Sequence, residues 1–191
     1  LGMLADGMFV QPIHGKGVRV IWLKGETDML GALEEVESFG EFAKRNNAVA
    51  STDVKSFEHL ICTEQLSRRL GFKVGEELIR VVRVRSLNGN ARQVDHGYFL
   101  ESIAKGLTPE IAAKSIYDYL EHKRGVKVMA SRRTVSVELA NDEDCSYLDL
   151  GKYNCVAVME SQSYTSDGIL FEVTHARTHP EIFHYRVNSK R

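Results

Sequence analysis

Along the 191 residues, stretches of alternating apolar and polar positions are separated by shorter runs with helical spacing. Residues 77–87 (Glu-Leu-Ile-Arg-Val-Val-Arg-Val-Arg-Ser-Leu) read as a long strand rich in β-branched side chains. Asn88-Gly89 follows, a pair suited to the positive φ of a tight hairpin, and 91–101 return as the partner strand. Residues 48–62 are β-prone through Val49, Val54 and Phe57, and 126–139 alternate as a further strand. Residues 156–165 and 169–178 flank Ser166-Asp167-Gly168 as a second hairpin, and 183–187 read as a short edge strand.

Helices are expected between these strands. Ser38-Phe-Gly-Glu41 has the form of a capping box and opens a helix to about Asn46. Thr63 and Gly71 bound a short helix. Thr108-Pro109-Glu110 starts the clearest one: Ile111, Ser115, Ile116, Tyr119 and Leu120 fall near one face, and the helix ends before Gly125. Asn141 caps a last helix that ends near Leu150. Sequential strands that pair antiparallel, with helices between, give an α+β domain whose mostly antiparallel sheet is flanked by helices.

The first 24 residues differ from the rest. Two β-prone stretches flank Gly15-Lys16-Gly17, a hairpin with a lysine at its tip. One reading is a surface hairpin with a solvated lysine. The other is the wing of a winged helix, with Gly15, Lys16 and Gly17 against DNA. Residues 1–24 hold Lys16, Arg19 and Lys24 against Asp6, a local positive surplus. Residues 25–37 are acidic and glycine-bearing and read as a linker, so the domain boundary is expected there, with 38–191 as the second domain. The opening Leu1-Gly-Met-Leu reads as the middle of a longer chain.

Composition narrows the function classes. With 25 basic and 26 acidic residues the formal net charge is −1, not the footprint of a chain that clamps nucleic acid by itself. Cys62, Cys145 and Cys155 form no CxxC, which fits a reducing cytoplasm better than a disulfide or zinc scaffold. No apolar run reaches the roughly 18 residues of a membrane span. His175 and His179 are four apart but lie in a strand and at its end, where that spacing has no metal-binding meaning, so no metal or cofactor is expected. No phosphate-binding glycine loop and no G-x-S-x-G occur.

Strand alternation turns Arg83 and Arg85 to one face and Arg80 to the other. The pair is either an anion grip or part of a solvated face. Asp95, across the Asn88-Gly89 turn, either pairs with an arginine or accepts sugar hydroxyls.

Gly7-Met-Phe-Val-Gln-Pro-Ile-His-Gly-Lys-Gly-Val resembles the end of the winged helix-turn-helix in GntR-family bacterial repressors. Residues 38–187 resemble the effector-binding UTRA domain of the HutC subfamily, through Ser38-Phe39, the Arg83-Val-Arg85 strand with its Asn-Gly turn, Ser115-Ile-Tyr117-x-x-Leu120 and Glu181-Ile-Phe183-His-Tyr185. Residues 107–121 and 142–150 are most similar to trehalose operon repressors. The resemblance implies a chorismate lyase-like fold and a homodimeric cytoplasmic regulator that is no enzyme. Such a regulator binds operator DNA and a small anionic effector, here a phosphorylated sugar such as trehalose 6-phosphate. It implies effector contacts at Ser38, Phe39, Gly40, Arg83, Arg85, Asp95, Ser115, Glu172, Arg177 and Thr178. Arg177 matches an arginine of the trehalose-type members, whereas Thr178 stands where some amino-sugar responders have Tyr. The helix start at Ser38 adds N–H donors suited to phosphate. The competing readings are a chorismate lyase-like enzyme acting on an aromatic acid and a stand-alone sensor without DNA binding.

Overall fold

A computed structural model of the chain describes residues 2–6, 9–21, 30–31 and 36–185. Most of the linker expected at 25–37, and residues 186–187 of the expected last strand, lie outside the described residues. A helix not anticipated from the sequence, α1 (Gly2–Asp6), precedes the N-terminal hairpin. That hairpin pairs β1 (Val10–Ile13) with β2 (Gly17–Val20) around His14-Gly15-Lys16. Gly15 and Gly17 have φ of 71° and 90°, the left-handed region that the reversal requires. β3 (Leu30–Gly31) pairs in parallel with β10 (His184–Tyr185), so the described part of the strand expected at 183–187 begins at His184 and does not join the main sheet.

The remaining elements run α2 (Phe39–Arg45), β4 (Ala50–Ile61), α3 (Glu64–Leu70), β5 (Glu77–Leu87), β6 (Asn90–Leu100), α4 (Pro109–Ala112), α5 (Ile116–Arg124), β7 (Val128–Leu139), α6 (Asp142–Tyr147), β8 (Cys155–Thr165) and β9 (Leu170–Thr178). Among the described residues, six strands form one antiparallel sheet in the order β4-β5-β6-β9-β8-β7. The order shows a repeat. Each half is a serine-capped helix, a 12-residue strand, a short capped helix and a hairpin. The halves join where β6 pairs with β9, and His96 stands opposite His175 near the pseudo-twofold axis.

Local chemistry explains the boundaries. Ser38 and Glu41 form the expected capping box: Glu41 N–H donates to Ser38 Oγ and Ser38 N–H to Glu41 Oε2. Asn141 and Asp144 do the same for α6, which ends at Tyr147 rather than near Leu150. Thr63 caps α3, and Gly71 closes it with φ 89°.

The helix expected from Thr108 to Gly125 is instead two. Thr108 and Pro109 start α4, but it stops after four residues, and Ser115 adopts an extended φ of −125° and ψ of 112°. Serine is a poor helix interior and a strong cap. Its Oγ accepts the Asp118 N–H at 3.2 Å and starts a second helix there.

One core packs Ile79, Val81, Phe99 and Phe171 against Ala112, Ile116 and Leu120, all at most 3% exposed. A second sets Val82, Val94, Val156 and Val158 against Leu148 and Leu150, the segment leaving α6. Burying each Val, Leu or Phe side chain contributes about 1.5–3 kcal/mol. The first cluster holds α5 on the sheet, and the second holds the segment that leaves α6.

Candidate functional site

Alternation along five strands selects the side chains that meet beneath those two helix starts. β5 contributes Arg83 and Arg85, β6 Gln93 and Asp95, and β9 Glu172, Thr174, Ala176 and Thr178. β8 adds Met159 and Ser161, and β7 adds Ser131 and Arg133. With Ser38, Phe39 and Gly40 of the α2 start and Lys114 to Tyr117 of the α5 start, they line a cavity of about 190 Å³.

One end of the cavity is cationic. Asp95 stands directly opposite Arg83 in the β5–β6 register. Its Oδ2 accepts from Arg83 Nη2 at 2.6 Å and from Arg85 Nε and Nη2 at 3.1 and 2.9 Å. The Arg83 and Asp95 side chains are each 3% exposed, so this is a buried ion cluster and not a solvated face. Burial pushes the Asp95 carboxyl up, but the two guanidinium groups outweigh it and hold the group below its ordinary range. Burial and then Arg83 lower Arg85 to about 10, which leaves it charged at neutral pH. Two guanidinium groups share the one carboxylate of Asp95, and Glu172 lies within electrostatic reach of both arginines. Among the described residues, Arg83 Nε is the buried side-chain nitrogen without a hydrogen-bond partner. Such an unmet donor costs about 1–3 kcal/mol. The Phe39 ring lies 5.2 Å from the Arg85 guanidinium and packs over it.

The other end is built of hydroxyls. Tyr117 Oη donates to Glu172 Oε2 at 2.5 Å and lies 3.1 Å from Ser163 Oγ, which in turn is 3.4 Å from Ser131 Oγ. Burial raises the Glu172 carboxyl against the opposing pull of Tyr117 and Arg83. Burial and the facing Glu172 push the Tyr117 phenol well above its usual value.

Nine of the ten expected positions line this one cavity: Ser38, Phe39, Gly40, Arg83, Arg85, Asp95, Ser115, Glu172 and Thr178. Arg177 is the correction. Ala176 and Thr178 face the cavity, so the residue between them faces the opposite side of the sheet. There Arg177 Nε and Nη2 donate to Asp144 at 2.9 Å, and Nη1 donates to Glu138. Asp144 is 0% exposed, so Arg177 is the counter-ion that holds α6 to the sheet. The expectation that Ser38 supplies backbone donors also changes, because the capping box consumes the N–H groups of Ser38 and Glu41. That leaves Phe39 and Gly40 as the amides of the first turn without a helical acceptor. Ser131, Arg133 and Ser161 were not singled out from the sequence, and Tyr117 entered only as part of the Ser115-Ile-Tyr117 motif, not as a site residue. The available signal for Tyr117 was Ser115 read as a cap, which puts Tyr117 in the first turn of a helix.

Among the described residues no group of three or more His, Cys, Asp or Glu side chains is placed to hold a metal ion. No described helix is long and apolar enough to cross a membrane.

The family described as UTRA domain matches residues 45–184. The HTH-type transcriptional regulator TreR of Bacillus subtilis is 28% identical over 185 residues, 97% of this chain and 76% of the relative. The HTH-type transcriptional repressor NagR of the same organism is 22% identical over 178 residues, 93% of this chain and 71% of the relative. The solved effector-binding domain of the B. subtilis trehalose repressor superposes with a TM-score of 0.65 at 27% identity, covering 74% of this chain and 98% of that one. The structure of the possible transcriptional regulator YydK from B. subtilis gives a TM-score of 0.76 at 22% identity, over 99% of this chain and 79% of that one.

Proposed function

Because the chain belongs to the UTRA domain family, we propose that the cavity beneath α2 and α5 is the effector site of a transcriptional regulator, and that its ligand is a phosphorylated sugar. The relatives are transcriptional regulators, and the enzyme reading has no support beside them. The observation that carries the ligand reading is the Arg83–Asp95–Arg85 cluster, in which two guanidinium groups share one carboxylate and Arg83 Nε is left unpartnered. A phosphate dianion meets both needs at once. Tyr117, Glu172 and the serines at the far end offer the mixed donors and acceptors that sugar hydroxyls require. The two ends together favour a sugar phosphate over a neutral sugar or an inorganic anion.

Trehalose 6-phosphate is the leading candidate through the similarity to TreR. At about 190 Å³ the cavity is smaller than the roughly 300–1,000 Å³ common for small-molecule sites, so a disaccharide phosphate requires its walls to part. A monosaccharide phosphate such as glucosamine 6-phosphate asks for less movement.

Within the same proposal the β1–β2 hairpin is the wing, with Gly15, Lys16 and Gly17 against operator DNA, residues 25–37 are the linker, and the regulator is a cytoplasmic homodimer. Lys16→Ala then weakens operator binding evenly across sequences and reduces the salt slope by about one, read by gel shift over a salt series.

Calorimetric titration with a panel of sugar phosphates and their parent sugars tests the effector site. Arg83→Ala keeps Asp95 paired with Arg85 and is expected to weaken phosphate-ester binding about ten- to a hundredfold. Equal responses to trehalose and its 6-phosphate, or normal binding by Arg83→Ala, would sink the cationic cradle.

A further inference from the structure

Arg80 faces away from the effector cavity, and it lines a second depression on the outer face of the sheet. There the strand registers align residues in rows. One row runs Arg80, Tyr98, Val173, Gln162 and Arg132, from β5 through β6, β9 and β8 to β7. The next runs His96, His175, Glu160 and Thr134. A third, through Val94, Arg177 and Val158, is closed by Leu148, Leu150 and the buried Asp144. The first two rows stay open as a cleft of about 500 Å³ between the end of α3 and the start of α6. That volume lies within the roughly 300–1,000 Å³ of small-molecule sites.

Three arginines converge on the first row. Arg80 and Arg132 stand at its two ends, four strand spacings or about 19 Å apart along the sheet. Arg69 reaches the row from α3: its Nη2 donates to Tyr98 Oη at 2.8 Å, and the guanidinium lies 5.5 Å from the ring centre. The end of α3 is held there by Gln162, whose Nε2 donates to Leu70 O at 3.4 Å. The fold makes little use of these three charges. Arg69 pairs with a neutral phenol, and Arg132 is exposed and has no partner among the described residues. Arg80 pairs at 3.1 Å with Glu58, whose side chain is 53% exposed, a surface contact of little strength. The acids of the cleft stand beside the histidines. His96 Nε2 is 2.9 Å from Glu143, and His175 Nε2 is 3.9 Å from Glu160 and 3.8 Å from Glu138.

We propose that this outer cleft is a second ligand site, for a small organic anion that also carries hydroxyl groups. The arginine row takes the carboxylate or phosphate head, which guanidinium groups match in charge and geometry. Glu143, Glu160 and Thr134 take the hydroxyls. The Tyr98 ring and Val173 form the floor on which the carbon skeleton rests. Arg80, Tyr98 and Arg132 have the opposite strand parity to Arg83, Asp95 and Arg133, so this site does not rest on the reading of the effector cavity.

Calorimetric titration of citrate and of inorganic phosphate tests it, in the full chain carrying Arg83→Ala so that the effector cavity is weakened. Citrate supplies carboxylates and a hydroxyl and is expected to bind. Arg132→Glu and Arg69→Gln, added singly, are each expected to weaken it at least about tenfold. Both positions are exposed, so the thermal midpoints of these variants should match that of their parent. Amide NMR shifts on adding citrate should centre on Arg132, Thr134 and the Gln162 side chain and leave residues 38–40 unmoved. Tighter binding of citrate than of phosphate gives the natural ligand a carboxylate head, and the reverse gives it a phosphate ester. Failure of both anions to bind, binding indifferent to both arginine variants, or shifts confined to the cavity beneath α2 and α5 overturns the second site.

Discussion

Arg177 and Thr178 are adjacent in sequence and stand on opposite faces of β9, and that one residue of offset separates support from site. Arg177→Ala leaves the fully buried Asp144 without its counter-ion, which is expected to cost about 3–5 kcal/mol in a urea transition. Sugar phosphate affinity measured on the same variant should stay within about twofold, because Arg177 touches nothing in the cavity. Glu172 and Asp95 behave oppositely with pH. Asp95 is held below its ordinary range, so its stabilising contribution is present above its unfolded pKa and is lost as pH falls through the folded value. Glu172 is raised, so its ionisation works against the fold as pH climbs past the unfolded value. Glu172→Gln should therefore gain stability over the wild type at pH 7.5, and the gain should vanish at low pH, as read from paired denaturation curves. A gain independent of pH would contradict the assignment. Much of this chemistry was legible in the sequence by parity alone: odd positions on β5 put Arg83 and Arg85 together. The same rule on β9 excludes Arg177, and family likeness outweighed it there. That Asp95 would be buried was not legible, because burial depends on what α2 and α5 cover.

Hairpins and caps were the most readable elements, since their chemistry is local. Asn88 and Gly89, both with positive φ, form the turn that their types demand. The break in the helix after Ala112 was hidden because Ile111, Ile116 and Leu120 keep a helical spacing across it. Apolar period reports which face is buried, and it does not report whether the backbone is continuous between two buried turns. The break matters because it creates a helix start at the cavity wall. Ser115→Ala should cost about 1 kcal/mol through the lost cap. It should also weaken ligand binding, since Tyr117 sits in the turn that Ser115 fixes. Gly97 is a second element-level constraint: a Cβ there would stand 2.7 Å from the Phe99 ring. Gly97→Ala is expected to destabilise by about 1–3 kcal/mol, visible in the thermal midpoint.

At the scale of the whole molecule, the strand order was beyond what the sequence discloses. The two halves share a pattern of elements, yet their residues differ, and nothing in either hairpin states that β6 meets β9. That seam sets a time as well as a shape. Within each half, neighbouring strands lie close along the chain, whereas residues 93–99 must find 172–178 across most of the domain. Loop closure of that span delays the contact, so each half is expected to gain structure early and the seam to form last. The cavity draws its walls from both halves, so a bound ligand acts as a clasp across that joint. The effector's presence should then be felt as a lifetime, in amide exchange at the seam that slows on binding while exchange at the outer strands changes little.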